Sequence, residues 1–223
     1  VRSADFGMED TKSSAPATLF STKPGDLSHS EMRPAPLIVI SGPSGVGKTT
    51  LVDALLARKT LPLRRAVTAT TRAPRPGEVP EVAYHFWTRE QFRSALDRNE
   101  MIEWAEVHET DFYGTPRSEV DPYRKDGIGV ILVIDVQGAG QVRARHPGDL
   151  LTLFIAPPKF EDLARRLEGR GELADSIRRR LHTAPQEIAR ENEFEHILVN
   201  ADLAAATDAL ESVIRADFQR RGF

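Results

Sequence analysis

From Leu37 to Ile40 the chain carries an unbroken apolar run, and Val130 to Ile134, Leu151 to Ile155 and Ile197 to Val199 repeat it. Short runs of this kind predict strands buried on both faces of a parallel sheet. Ala66 to Thr71 is a weaker candidate. Between the runs, apolar positions recur at helical spacing: Ile177, Leu181 and Ile188 in one stretch, and Leu203, Leu210, Val213, Ile214 and Phe218 in another. A further helix is predicted over Thr50 to Lys59. Strand and helix in alternation predict an α/β three-layer fold around a parallel central sheet. The rhythm breaks over residues 72–125, which hold the turn Ala73 to Gly77, both Trp, all three Tyr and one clear helix, Glu90 to Asn99. That stretch is read as an insertion at the carboxyl edge of the sheet, where open α/β sheets bind ligands.

Residues 1–35 are rich in Ser, Thr, Pro and Asp without a sustained apolar period, which predicts a flexible tail ahead of a folded domain over 36–221. Lys plus Arg number 30 against 33 Asp plus Glu, a net charge of −3, so a nucleic-acid partner is not expected and any anion site must be local. With no cysteine, disulfides, thiolate metal sites and a Cys nucleophile are excluded, and a cytoplasmic chain fits. No apolar run approaches the roughly 18 residues of a spanning helix, so no membrane partner is expected either. Nothing in the sequence sets the oligomeric state.

Directly after the first predicted strand stands Gly42-Pro43-Ser44-Gly45-Val46-Gly47-Lys48-Thr49, a complete GxxxxGK[ST] loop followed by Thr50 and a helix. Glycines let such a backbone curl so that its N–H groups face phosphates, and the helix N-terminus adds positive potential. Lys48 is expected to reach the β and γ phosphates, and the Thr49 hydroxyl to ligate Mg²⁺ delivered with ATP. Six histidines show neither HExxH nor paired helical spacing, so no zinc site is argued. Asp135 ends a buried strand, where a second phosphate-site carboxylate belongs. Asp135-Val136-Gln137-Gly138 also spells the DxxG of GTPases, but no Asn is followed by Lys, so the base-reading NKxD element is missing.

Within the insertion, Arg72 and Arg75 sit three apart in Thr70-Thr71-Arg72-Ala73-Pro74-Arg75-Pro76-Gly77-Glu78, where prolines forbid a helix and the loop can present both guanidinium groups to one phosphate. Tyr84-His85-Phe86, Ile102-Glu103-Trp104-Ala105, Tyr113-Gly114-Thr115-Pro116, Ile155-Ala156-Pro157-Pro158 and Arg166-Leu167-Glu168-Gly169-Arg170-Gly171 follow in order. With the phosphate loop and Asp135-Val136-Gln137-Gly138, this series resembles the guanylate kinase family over about residues 37–203. The resemblance implies a P-loop three-layer fold with an inserted GMP-binding subdomain over 72–125, a core over 36–71 and 126–221, and a mobile lid at about 169–181. It implies transfer of phosphate from ATP to GMP, and to dGMP. By matching position, Arg72, Arg75, Tyr84 and Tyr113 hold the GMP phosphate, while Glu103, Thr68 and Thr115 read guanine. Asp135 serves either Mg²⁺ or the acceptor. Arg166, Arg170 and Arg180 are the lid arginines, and Asn200 lies near adenine. The chemistry agrees with the base reader: a carboxylate accepts from guanine N1–H and N2–H₂ together, a donor pair that adenine lacks.

The chain departs from the family pattern in a lid one residue shorter, which leaves Arg179 as an alternative to Arg180. Ala83 replaces a common Asp before the tyrosine, Glu109-Thr110-Asp111-Phe112 forms an unusual lead-in, and Ala201 stands where an acidic residue is common. Two other functions fit parts of the pattern: a guanylate-kinase-like binding module without catalysis, and a kinase of the same fold acting on a sugar phosphate. Lys48 and Thr49 argue against the first, and the set Glu103, Thr68 and Thr115 against the second.

Overall fold

A computed structural model of the chain describes residues 34–75, 77–107, 111–168 and 174–223. The first strand, β1 (Leu37–Ser41), is wholly buried, with Ile38 and Ile40 in one apolar layer and Leu37 and Val39 in the other. The first layer is closed by α1 (Lys48–Arg58), through Leu51, Val52 and Leu55, and by α7 (Leu203–Arg221), through Leu210, Ile214 and Phe218. Leu163 of α5 (Phe160–Glu168) and Ala184 of α6 (Ala174–Ile188) join them. The second layer is closed by Val136, Ala139 and Val142 of α4 (Val136–Arg145). A strand with no polar alternation needs both faces out of water, and this sandwich supplies that.

The central sheet is parallel throughout, in the order β2 (Leu63–Arg65), β7 (Gly129–Val133), β1, β8 (Leu150–Ala156), β9 (His196–Val199). Two of its strands depart from expectation. The outer strand β2 is Leu63-Arg64-Arg65, a half-buried edge with no apolar run to announce it, whereas Ala69–Thr70 (β3) belongs to a different sheet. Strand β9 is an edge: Leu198 packs on the core, while Ile197 and Val199 are 42% and 54% exposed.

The second sheet runs β4 (His85–Phe86), β3, β6 (Asp111–Pro116), β5 (Met101–Val107). Helix α2 (Arg89–Asp97) covers it, so that Phe92 and Ala95 meet Ala69 and Met101 in a separate small core ringed by Trp87, Trp104 and Phe112. A capping box starts α2: Thr88 accepts from Gln91 N at 3.1 Å and Gln91 Oε1 accepts from Thr88 N at 2.7 Å.

The predicted boundaries shift accordingly. Because Ala69 and Thr70 pair with Gly114 and Tyr113, the inserted sheet begins at residue 69 instead of 72. At its other end, Val120 and Tyr123 pack into the second core layer, which ties α3 (Asp121–Lys125) to the core and not to the insertion. Buried Arg124 donates from Nε to the Ala35 carbonyl at 2.6 Å, and Ala35 is itself fully buried, so the packed body starts ahead of residue 36. Residues 1–33 of the expected tail lie outside the described residues.

Candidate active site

The phosphate loop turns on glycines at positive φ, Gly42, Gly45 and Gly47. Gly42 sits at φ +141° with its α-carbon so close to β8 that an added Cβ would stand 2.3 Å from the Ile155 carbonyl oxygen. Gly47, at φ +99°, is the N-cap of α1, so Lys48 and Thr49 are the first helical residues, two earlier than the sequence pattern places the helix start. The Lys48 ammonium curls back to donate to Gly42 O at 2.6 Å and Pro43 O at 3.1 Å. Thr49 and Thr50 are exposed.

From the donor side, α5 and the end of β9 brace this loop. Arg166 donates to the Val46 carbonyl at 2.9 Å and the Asn200 carbonyl at 2.7 Å, and the buried Asn200 amide donates to the same Val46 oxygen at 2.8 Å. Arg166, counted by the resemblance among the lid arginines, stands on α5, ahead of the expected lid span at about 169–181. Of the expected lid, residues 169–173, including Arg170, lie outside the described residues, and residues 174–181 form the first turns of α6. Between the two open alternatives, Arg180 is half-buried and donates to Ser44 Oγ at 3.1 Å, whereas Arg179 is exposed.

One residue here escaped the sequence reading. Glu187 lies seven positions after Arg180, on the same face of α6, and its carboxylate accepts from Ser44 N at 3.3 Å. Burial pushes its carboxyl up, opposed by the positive charge of Lys48. The helical spacing of Arg180 and Glu187 was a usable signal.

Facing the loop across the sheet edge are two adjoining cavities. One, of about 280 Å³, is lined by Thr68, Tyr84, Glu103, Ala105, Tyr113, Val133, Ile134 and Asp135. The other, of about 240 Å³, shares Thr68, Tyr84 and Val133 and reaches Thr49. The structure thus brings Thr68, Tyr84, Glu103, Tyr113 and Asp135 of the predicted acceptor set to one place beside the phosphate loop. A larger surface cavity of about 790 Å³, between α2 and the end of β6, contains none of them.

Glu103 is 4% exposed, opposite Thr115 in the β5–β6 register, and Thr115 Oγ1 donates to its Oε1 at 2.7 Å. Burial pushes its carboxyl up to about 7; the Thr115 hydroxyl opposes this, and the charge of Asp135 adds to it. Asp135 caps α4 by accepting from Gly138 N at 2.7 Å. Thr68, half-buried, lines both cavities.

At the phosphate-binding end, Arg72 donates from Nε to Tyr113 Oη at 3.1 Å, and its guanidinium lies 5.5 Å from the Tyr84 ring centre. Tyr84 and Tyr113 meet edge to face at 6.0 Å. Glu78 holds both terminal nitrogens of Arg72, at 2.9 and 3.0 Å, and accepts from Arg75 N at 2.7 Å. The Arg72 hydrogen bonds keep the Glu78 carboxyl below the ordinary range. The Arg75 side chain is exposed and does not join this cluster. Glu78 ends the same Arg72-Ala73-Pro74-Arg75-Pro76-Gly77-Glu78 motif, but nothing in the sequence marked it as the partner of Arg72. Of the unusual lead-in, Glu109 and Thr110 lie outside the described residues.

The seam between core and insertion is pinned by Glu119, which accepts from Arg64 at 2.7 Å and from Val67 N at 3.1 Å and faces His85 Nε2 at 3.0 Å.

The family model described as guanylate kinase matches residues 34–217. Among curated proteins, the guanylate kinase of Corynebacterium glutamicum is 43% identical over 181 residues, covering 80% of this chain and 94% of that protein. The guanylate kinase of Rubrobacter xylanophilus is 44% identical over 186 residues, covering 82% and 95%. Among solved structures, the guanylate kinase of Anaplasma phagocytophilum superposes with a TM-score of 0.68 at 31% identity, covering 83% of this chain and 87% of that one.

Proposed function

The chain belongs to the guanylate kinase family and phosphorylates GMP at the expense of ATP, and we propose that the transfer runs across the two adjoining cavities, with dGMP as a second acceptor. The observation that carries this placement is the buried Glu103 carboxylate at the end of a cavity whose neighbour reaches Thr49. With Thr115 fixing one oxygen, the carboxylate accepts from guanine N1–H and N2–H₂, and Thr68 closes the pocket edge. Adenine would set a lone pair against the carboxylate, leaving a desolvated charge unpaired.

Arg72, Tyr84 and Tyr113 anchor the GMP phosphate. That phosphate replaces Glu78 on the Arg72 fork and draws in the exposed Arg75 for a second bidentate contact. Asp135 is assigned to the acceptor side, since it lines the same cavity as Glu103. On the donor side the backbone N–H groups of the loop from Gly45 to Thr50 cradle the triphosphate, with the N-terminus of α1 behind them. Lys48 exchanges its two carbonyl partners for the β and γ oxygens. Arg166 and Asn200 hold the loop from below, and Arg180 closes with Arg170 over the migrating group, excluding water that would otherwise be the acceptor. No general base is required, because the attacking phosphate is already an anion.

For the metal, the exposed Thr49 hydroxyl beside Lys48 supplies one hard oxygen, a donor set suited to an Mg²⁺ that keeps phosphate oxygens and waters as its other ligands. When bound, Mg²⁺ neutralises charge on the β and γ oxygens. The cytoplasm is the proposed compartment, in keeping with a chain that has no cysteine.

ADP release measured with GMP, dGMP, AMP, CMP and UMP in turn tests this. GMP and dGMP should be phosphorylated, with AMP slower by roughly 10⁴-fold in kcat/KM. Comparable rates for all five would remove Glu103 from base selection. A folded protein inactive with every acceptor would favour the binding module.

A further inference from the structure

Strand β5 is the outer strand of the inserted sheet, paired on one side only, with β6. In a strand, residues i and i+2 direct their backbone N–H and C=O groups to the same edge, so Ile102 and Trp104 face away from β6 while Glu103 faces it. That outward edge is covered by side chains of α4. Gln141 Nε2 donates to the Trp104 carbonyl at 2.7 Å, and Gln141 Oε1 accepts from Trp104 N at 3.2 Å. The side-chain amide thus makes the same pair of bonds that a neighbouring strand would make. Arg145 adds a third, donating to the Ile102 carbonyl at 2.9 Å. Gly138 permits the approach, since a Cβ there would come within 3.0 Å of Glu103 Oε2. Residues 138, 141 and 145 fall on one face of α4, and Gln141 and Arg145 hold the backbone on both sides of Glu103.

We propose that Gln141 is a positioning residue for base selection: acting as a substitute strand, it fixes the backbone that carries Glu103 against the helix that begins at Asp135. The inference rests on the reading of Glu103 as the guanine reader. A peptide edge left unpaired can shift along or away from α4, and the carboxylate shifts with it. A displacement of an ångström is enough to spoil two hydrogen bonds to one base edge, while the phosphate loop, built from other elements, stays as it was.

The experiment uses the full chain and compares GMP with IMP, which lacks the 2-amino group. kcat and KM for both acceptors, KM for ATP and the melting temperature are measured for wild type, Gln141→Ala, Gln141→Glu and Glu103→Gln. Gln141→Ala should raise KM for GMP by about tenfold, the scale of one to two hydrogen bonds. It should also lower the preference for GMP over IMP toward that of Glu103→Gln, with KM for ATP and kcat at saturating GMP nearly unchanged. Gln141→Glu is isosteric but sets an oxygen against the Trp104 carbonyl, so it should behave as the alanine variant does, and it keeps the test open if truncation unfolds the protein. A purely structural role would lower the melting temperature and scale both acceptors equally, which would overturn the proposal. So would a wild-type GMP:IMP ratio in both Gln141 variants beside an altered ratio in Glu103→Gln. If Glu103→Gln itself left the ratio unchanged, the base-reader assignment would fail and this inference with it.

Discussion

Burial lifts the Glu103 carboxyl from the ordinary 4.5 to about 7, which corresponds to roughly 3 kcal/mol held against its ionised form. Because the folded value is raised, the stability contributed by the protonated acid is complete below pH 4.5 and is lost as pH rises through about 7. Guanine needs the opposite form, so binding GMP near neutral pH must expel a proton. KM for GMP should therefore rise as pH falls below 7, approaching tenfold per unit. The GMP phosphate titrates in the same region, near pH 6, and Glu103→Gln separates the two effects: it keeps the phosphate titration and should lose the extra slope. Identical slopes in both proteins would mean that Glu103 binds guanine uncharged or not at all. Arg75 allows a different test, since its side chain is exposed and contributes little to packing. Arg75→Lys should leave the melting temperature alone yet lower kcat/KM for GMP by about tenfold, because an ammonium cannot reproduce the guanidinium fork. Unchanged kinetics would confine phosphate anchoring to Arg72 and the two tyrosines.

Three elements supply residues to the candidate site, and each was legible to a different degree. The loop and α1 were announced by spacing alone, since glycine and lysine at those positions have one well-understood purpose. Strand β5 was legible only through its motif: Glu103 between Ile102 and Trp104, taken singly, also fits a solvent position on an edge strand, and its burial depends on α4, more than thirty residues later in the chain. Helix α6 was legible as a helix, but its contact with Ser44 through Arg180 and Glu187 is a tertiary fact. At this scale the test is Lys48→Ala. The α1 core residues Leu51, Val52 and Leu55 are untouched by it, so the fold should hold and GMP binding by calorimetry should remain near wild type. Transfer should fall by 10²–10³-fold or more, roughly the cost of removing one preorganised donor from a developing charge. Near-normal turnover in the folded variant would place the donor phosphates elsewhere.

Across the whole molecule, the parallel core and the inserted sheet carry separate apolar cores, and the acceptor cavities open along the seam between them. The three-layer core could be read from uninterrupted apolar runs, because burial on both faces leaves that signature. Strand β2 could not, since two arginines on a half-buried edge look like loop. The limits of the insertion were blurred for a related reason: β3 is only Ala69–Thr70, too short to show a period, and its two partner strands lie sixteen and more than forty residues further along the chain. This division of labour, with the donor on the core and the acceptor on the insertion, makes base choice a local property of one carboxylate. Its most direct test is kcat/KM for GMP and for AMP in wild type and Glu103→Gln, alongside ATP affinity. The expected result is a strong GMP preference in wild type that collapses in the variant through loss of GMP activity, with ATP binding unchanged. An equal GMP:AMP ratio in the two proteins would contradict the account.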